Sequence, residues 1–129
     1  MSDAAAMILD AWRAKRVLAP LGSAAPRTEA EGYAVQRRVA EAQGAIPPAG
    51  FKIGATTRQM QEILGLGGPA AGFVPASSIN ADGLSVAYAD FLNAGVECEV
   101  AVRLGRDMPA RPTTREAAAE AVAEVFAAI

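Results

Sequence analysis

The 129-residue chain contains no histidine and a single cysteine, Cys98. Without histidine, its own residues cannot form a Ser-His-Asp triad, a Cys-His pair or a histidine-bearing zinc site. One cysteine excludes an internal disulfide. Because Cys98 has no histidine to act as a base beside it, we expect it to be a small core residue rather than a nucleophile. Chemistry in this chain therefore depends on carboxylates, lysine, arginine, hydroxyl groups or a hard metal ion.

Strong charge and long apolar runs are also lacking. The net charge is −2 at pH 7 and like charges form no block, which argues against nucleic acid and anionic membranes as partners. No apolar run reaches the roughly 18 residues of a membrane-spanning helix, and the N-terminus lacks the pattern of a secretion signal. With 52% hydrophobic and 20% charged residues, the composition is typical of a globular domain. We expect a cytoplasmic protein.

Apolar periodicity and capping patterns predict four helices. The first runs from about Asp3 to Leu18 and ends before Pro20. The others open with threonine caps and span Thr28 to Gly44, Thr56 to Gly65 and Thr113 to about Val125. Thr28-Glu31 and Thr113-Glu116 both have the form of a capping box, in which two side chains satisfy exposed amides at the helix start.

Between the helices, alternating apolar residues predict short strands. They are expected at Phe51 to Gly54, around Gly72, at Gly83 to Tyr88 and at Val96 to Leu104. The last four residues, Phe126 to Ile129, are typical of the beginning of a strand. Helices mixed with such strands predict an α+β fold.

The candidate site lies in the longest of these strands, where Glu97 and Glu99 flank Cys98. In a strand, side chains two residues apart leave the same face about 6.6 Å from each other, and Cys98 points the opposite way. Two neighbouring carboxylates repel each other unless a cation lies between them, and a hard dication such as Mg²⁺ or Mn²⁺ suits their oxygens. The alternative is a solvated polar face on an edge strand, and the pair alone does not separate these interpretations.

Several motifs resemble one known family when they are taken together and in order. They are Tyr33-x-x-Gln36, Gly50-Phe51-Lys52-Ile53-Gly54-Ala55-Thr56, Met60-Gln61-x-x-Leu64-Gly65, Gly72-Phe73 and Val96-Glu97-Cys98-Glu99-Val100-Ala101-Val102. The chain from residue 28 onward is similar to the 2-keto-4-pentenoate hydratases and the 4-oxalocrotonate decarboxylases, within the fumarylacetoacetate hydrolase superfamily. Agreement among several unrelated spacings is more specific than any one motif.

The resemblance implies N-terminal helices and part of a mixed β-sandwich or roll, of the type found in the C-terminal domain of fumarylacetoacetate hydrolase. It implies that residues 1–129 are the N-terminal portion of one such domain. Glu97 and Glu99 fall on two family ligands for Mg²⁺ or Mn²⁺, and the family's third glutamate follows a run resembling Ala127-Ala128-Ile129. We therefore expect the natural sequence to continue past Ile129 and to place a glutamate within one or two residues.

The resemblance also implies an activity. Lys52 falls on the family's strand lysine near the metal, where an ammonium can stabilise negative charge or relay a proton. The implied enzyme is a metal-dependent hydratase acting on 2-hydroxy-2,4-dienoate or 2-oxo-4-enoate acids, as in the degradation of aromatic compounds. The implied assembly is a homo-oligomer or a complex with a related decarboxylase or hydratase subunit.

Three alternatives stay open. A decarboxylase of the 4-oxalocrotonate type would use the same site. A C–C hydrolase of the fumarylacetoacetate type is disfavoured by the lack of histidine. A non-catalytic assembly partner is disfavoured because Lys52, Glu97 and Glu99 are all present. The loop Pro75 to Asn80 lacks the acidic residue that some relatives carry there, which leaves a second proton-transfer group unidentified.

Overall fold

The computed structural model describes residues 3–109 and 114–129. The described chain holds four α-helices and four strands: α1 (Ala4–Arg13), α2 (Glu29–Ala42), β1 (Gly50–Gly54), α3 (Arg58–Leu64), β2 (Ala70–Val74), β3 (Glu99–Leu104), α4 (Arg115–Ala121) and β4 (Val122–Ala128). Helices with two small antiparallel sheets agree with the predicted α+β class. The chain divides into two units, Met1–Leu92 and Asn93–Ile129.

In the first unit, α1 and α2 pack against each other through small residues. Ala4, Ala5 and Ala11 of α1 and Ala40 of α2 are all buried. Alanine lets two helix backbones approach closely, but each side chain removes little apolar surface from water. None of the helices in residues 3–109 and 114–129 is long and apolar enough to cross a membrane.

The first helix is shorter than the sequence predicts, because it ends at Arg13 rather than near Leu18. Lys15 adopts a left-handed backbone with φ 46°. Its N–H donates to the carbonyl of Trp12, and the N–H of Arg16 donates to the carbonyl of Ala11. This pair of bonds is the Schellman arrangement that closes a helix. Lysine occupies the position that glycine usually holds in this arrangement. The sequence therefore carries no signal that the helix ends there, and its apolar periodicity predicts a longer helix.

Helix α2 begins and ends as predicted, whereas α3 ends at the predicted Gly65 but has its N-cap at Thr57 rather than Thr56. Thr28 and Glu31 form both halves of the capping box at the start of α2. The Thr57 side chain accepts from the N–H of Met60 at the start of α3. Gly44 and Gly65 close these helices with φ 70° and 67°, a backbone that glycine adopts without strain.

The β1 and β2 strands, both close to their predicted positions, pair in an antiparallel ribbon. Phe51 lies opposite Phe73, with ring centroids 5.7 Å apart and planes tilted by 49°. A tilted aromatic pair at this distance is favourable and marks one face of the ribbon.

The strand predicted at Gly83 to Tyr88 is wrong. Gly83 turns the chain with φ 83°, and the Asp82 carboxylate accepts from its N–H. Tyr88–Asp90 forms a single 3₁₀ turn. Alternating apolar residues make a strand only where a partner supplies hydrogen bonds, and no strand pairs with this segment in the described chain.

In the second unit, β3 and β4 pair in an antiparallel ribbon from Glu99 opposite Ala128 to Leu104 opposite Val122, with a bulge beside Arg103. The strand predicted to begin at Phe126 is present, but it begins at Val122. The fourth helix ends at Ala121 rather than Val125. The carbonyl of Ala121 accepts from the N–H of Gly105 at 2.8 Å, and the valines that follow extend the ladder instead of the helix.

The start of α4 also differs from its prediction. Thr114 is the N-cap, and its side chain accepts from the N–H of Ala117 at 3.1 Å. The predicted capping box assigned the cap to Thr113, which lies outside the described residues. With the cap at Thr114, Glu116 is the second helical residue instead of the third, and the predicted pairing of threonine with Glu116 does not apply.

Candidate functional site

Lys52 lies at the centre of β1, directly opposite Gly72 of β2. Strand alternation puts Gly50 and Gly54 on the same face of β1 as Lys52, away from the face of Phe51. A Cβ built at Gly50, Gly54 or Gly72 would meet no atom of the described residues within 4 Å, the adjacent residues aside. Each cross-strand pair on the face of the exposed Lys52 therefore contains a glycine, and Ala70 and Val74 supply the other side chains of the ribbon there.

The outer edge of β2 is held by two side chains of α2. The N–H of Ala71 donates to the Tyr33 hydroxyl oxygen at 3.1 Å, and Gln36 Nε2 donates to the carbonyl of Ala71 at 2.8 Å. We call these two bonds the Ala71 clamp. Tyr33 and Gln36 reach the same residue because positions three apart lie on one face of a helix.

An open cavity of about 240 Å³ lies beside the clamp, lined by α2 and by the turn that leads into β2. Its lining includes Tyr33 and Gln36 from the helix, Gly67, Gly68 and Pro69 from the turn, and Glu29. The lining is mostly apolar. The clamp joins α2 to β2 at the side of this cavity.

The other end of β1 is fixed by α3. Ala55, which follows the strand, has a left-handed backbone with φ 53°. Gln61 Nε2 donates to the carbonyl of Ala55 at 2.8 Å. A non-glycine residue in this conformation is strained, and a hydrogen bond from a neighbouring helix is the kind of contact that maintains it.

Glu97 and Glu99 both lie in the second unit and both are exposed. Strand β3 begins at Glu99, so the predicted strand start at Val96 is wrong, and Glu97 and Cys98 precede the strand. The physical reason is pairing, since the ladder begins with Glu99 opposite Ala128. Because Glu97 lies outside β3, strand alternation does not place it on the same face as Glu99.

Cys98 is exposed, which contradicts its predicted place as a small core residue. That prediction relied on a strand with one buried face, whereas Cys98 lies before β3 and outside the ladder. The thiol is accessible between the two candidate ligands.

Neighbouring charges on the β3 ribbon are arranged in a cross-strand pair. Arg103 lies opposite Glu124 and forms an ion pair with it. Arg103 and Glu99 share one face of β3 because they are four residues apart. Glu124 thus balances the positive charge of Arg103.

The donor chemistry of Glu97 and Glu99 fits a hard dication, since carboxylate oxygens are the ligands that Mg²⁺ and Mn²⁺ prefer. Within residues 3–109 and 114–129, no three or more Asp, Glu, Cys or His residues are grouped so that they could hold a metal ion. The described chain therefore offers two carboxylates two positions apart as a partial ligand set. Lys52 belongs to the first unit and this pair to the second.

Sequence reasoning selected Lys52, Glu97 and Glu99 as candidates and did not identify Tyr33, Gln36 and Gln61 as hydrogen-bonding residues. The spacing Tyr33-x-x-Gln36 was the available signal, because it puts two polar side chains on one helix face. Nothing in the sequence identifies Ala71, which is the backbone that they hold.

The chain is similar to the 2-keto-4-pentenoate hydratase of Paraburkholderia phymatum. The two are 33% identical over 131 residues, which cover 97% of this chain and 49% of that protein. The chain thus spans about half the length of the curated relative. No family model and no solved structure matches it. Along nearly its whole length, the chain is similar to about half of a 2-keto-4-pentenoate hydratase.

Proposed function

We propose that the protein is a hydro-lyase that adds water to 2-hydroxy-2,4-dienoate or 2-oxo-4-enoate acids, in the degradation of aromatic compounds. The observation that carries the proposal is the similarity to a 2-keto-4-pentenoate hydratase over 97% of the chain. Lys52, Glu97 and Glu99 supply side chains that suit this chemistry, and none of it requires the histidine that the chain lacks.

Glu97 and Glu99 are the residues proposed to hold Mg²⁺ or Mn²⁺. Their two negative charges match a dication, and carboxylate oxygens are ligands that Mg²⁺ and Mn²⁺ prefer. When bound, such an ion polarises the oxygen of a 2-oxo acid and offsets the negative charge that develops there.

Lys52 is proposed as the group that stabilises negative charge on the substrate and transfers a proton. Hydration forms a bond between the water oxygen and a carbon of the conjugated system, and the proton lost by the water must be returned to the substrate skeleton. An ammonium can stabilise the negative charge on the substrate oxygen and relay that proton. The glycines on the Lys52 face, one of them directly opposite Lys52, favour close approach of a flat unsaturated acid to the backbone.

The test incubates the protein and Mg²⁺ with 2-hydroxypenta-2,4-dienoate as the substrate. We expect loss of the conjugated ultraviolet absorbance, formation of a hydroxylated 2-oxo acid and no release of CO₂. Release of CO₂ from a dienoate that bears a second carboxylate, in place of hydration, would make the protein a decarboxylase. Cleavage of a carbon–carbon bond would favour a hydrolase, and absence of any turnover would favour a non-catalytic partner.

A further inference from the structure

We infer that Tyr33 and Gln36 are positioning residues for Lys52, acting through the Ala71 clamp on the strand behind it. The inference rests on the proposed function for its effect on turnover. It concerns residues of the first unit alone, and it assigns α2 a function in the site that neither helix periodicity nor the similarity to a hydratase provides.

The geometry connects the clamp to Lys52 in two steps. Ala71 lies opposite Ile53, and the next residue, Gly72, lies opposite Lys52. In an antiparallel pair, the N–H and C=O of one residue point to the same side and neighbouring residues alternate. The polar groups of Ala71 point outward to α2, and those of Gly72 therefore point inward to Lys52. Holding Ala71 fixes the residue that pairs with Lys52.

The ribbon needs such support because its own side chains define the register poorly. A two-stranded ribbon is marginally stable by itself, and glycine-rich strands slip more easily than strands with large side chains on both faces. Gly50, Gly54 and Gly72 leave the Lys52 face without interlocking side chains. The phenylalanine pair acts on the opposite face only.

The clamp replaces a third strand at this edge. Tyr33 accepts from Ala71 and Gln36 donates to it, so the two bonds together satisfy both backbone groups of one residue. Separating β2 from α2, or sliding it past the helix, breaks both bonds. The pair of bonds therefore stabilises the strand that pairs with Lys52 at an edge that no further strand covers in the described chain.

Displacement of a catalytic group by about 1 Å can cost up to about a hundredfold in rate. We expect Gln36→Met, which keeps the side-chain length but removes the donor, and Tyr33→Phe, which removes the acceptor, to lower kcat by about tenfold or more. KM should stay within about twofold, because the clamp does not contact substrate. Gln43→Met, the same change at an exposed residue at the end of α2, is the matched control and should leave both constants unchanged.

Two readouts separate positioning from a general loss of stability. In a Lys52→Met background, Gln36→Met should have little further effect on kcat, because the residue it positions is gone. Hydrogen exchange should show the amides of Ala71, Gly72 and Lys52 exchanging about tenfold faster in Gln36→Met, with α1 unaffected.

Multiplicative effects on kcat in the double variant, or unchanged exchange at Gly72 and Lys52, would overturn the inference. If the wild-type protein shows no hydratase turnover, the proposed function fails instead. The exchange measurement then still decides whether the clamp holds the strand pair around Lys52.

Discussion

The carboxylate of Asp3 accepts two hydrogen bonds from the guanidinium of Arg38, one of them at 2.8 Å, and so joins the start of α1 to the middle of α2. The same carboxylate caps α1 by accepting from the N–H of Ala5 at 3.2 Å. Fork-shaped pairs of this kind are geometrically specific. The bonds from Arg38 hold the pKa of Asp3 below its ordinary value of 3.8, and backbone hydrogen bonds lower it further.

A depressed pKa predicts how stability varies with pH. The stabilisation that Asp3 provides is fully present above its unfolded pKa and is lost as the pH falls through the lower folded pKa. Asp3→Asn keeps an N-cap but removes the charge, so it should lower the melting temperature at pH 7. The difference in melting temperature from the wild type should decrease as the pH falls below about 4. Thermal melts at a series of pH values test this, with the exposed Asp107→Asn as control. A difference that persists unchanged at pH 2 would contradict it.

The left-handed Lys15 predicts a stabilising substitution. Glycine adopts φ 46° without strain, so Lys15→Gly should raise the free energy of unfolding by up to about 1 kcal/mol. The exposed ion pair between Lys15 and Asp90, at 3.6 Å, contributes little. Lys15→Ala removes the same ion pair but keeps the strain, and it should bring no gain. Equal stability of the two variants in denaturant titration would show that the backbone strain is not important.

The parts of the fold predicted correctly from sequence are those fixed by local interactions. The Thr28 capping box and the glycine that closes α2 act within a few residues, so both can be recognised from the local sequence. The strand predicted at Gly83 to Tyr88 failed, because pairing depends on a partner distant in sequence. The premature end of α1 also escaped prediction, because Lys15 carries no sign of a left-handed backbone.

In the candidate site too, local features could be read from the sequence, whereas features that depend on distant parts of the chain could not. Glu97, Glu99 and Lys52 could be selected as candidates from sequence because their residue types suit the proposed chemistry. The start of β3 at Glu99 and the exposure of Cys98 were not, because both depend on where β4 pairs. The clamp on Ala71 required knowing which strand lies beside α2.

Exposure of Cys98 predicts that its packing contributes little to stability. Cys98→Ala should change the free energy of unfolding by less than about 0.5 kcal/mol, as expected for an exposed side chain. The native thiol should react with a thiol reagent as fast as it does in the unfolded protein. A decrease of more than about 1 kcal/mol in the free energy of unfolding, or a thiol that reacts only after unfolding, would show that Cys98 is packed and not exposed.

Lys52 gives a graded prediction for the proposed chemistry. Lys52→Met should lower kcat by about a hundredfold, the usual scale for a positioned acid, base or electrostatic group. Affinity for Mg²⁺ should survive. Lys15→Met, the same change at the chain's other lysine, should leave kcat unchanged. Normal single-turnover chemistry with collapsed metal affinity would make Lys52 a support for the metal site instead.

The most direct measurement is calorimetric titration of the complete protein with Mg²⁺ alone. We compare the wild type with Glu97→Gln, Glu99→Gln and, as a control, the exposed Glu116→Gln. Each substitution keeps the side-chain volume and removes one charge. The account predicts one bound ion in the wild type and in Glu116→Gln, with affinity lower by about tenfold or more in each of the other two variants. Equal affinity in all four proteins, or no binding in the wild type, would contradict the assignment of Glu97 and Glu99 as metal ligands.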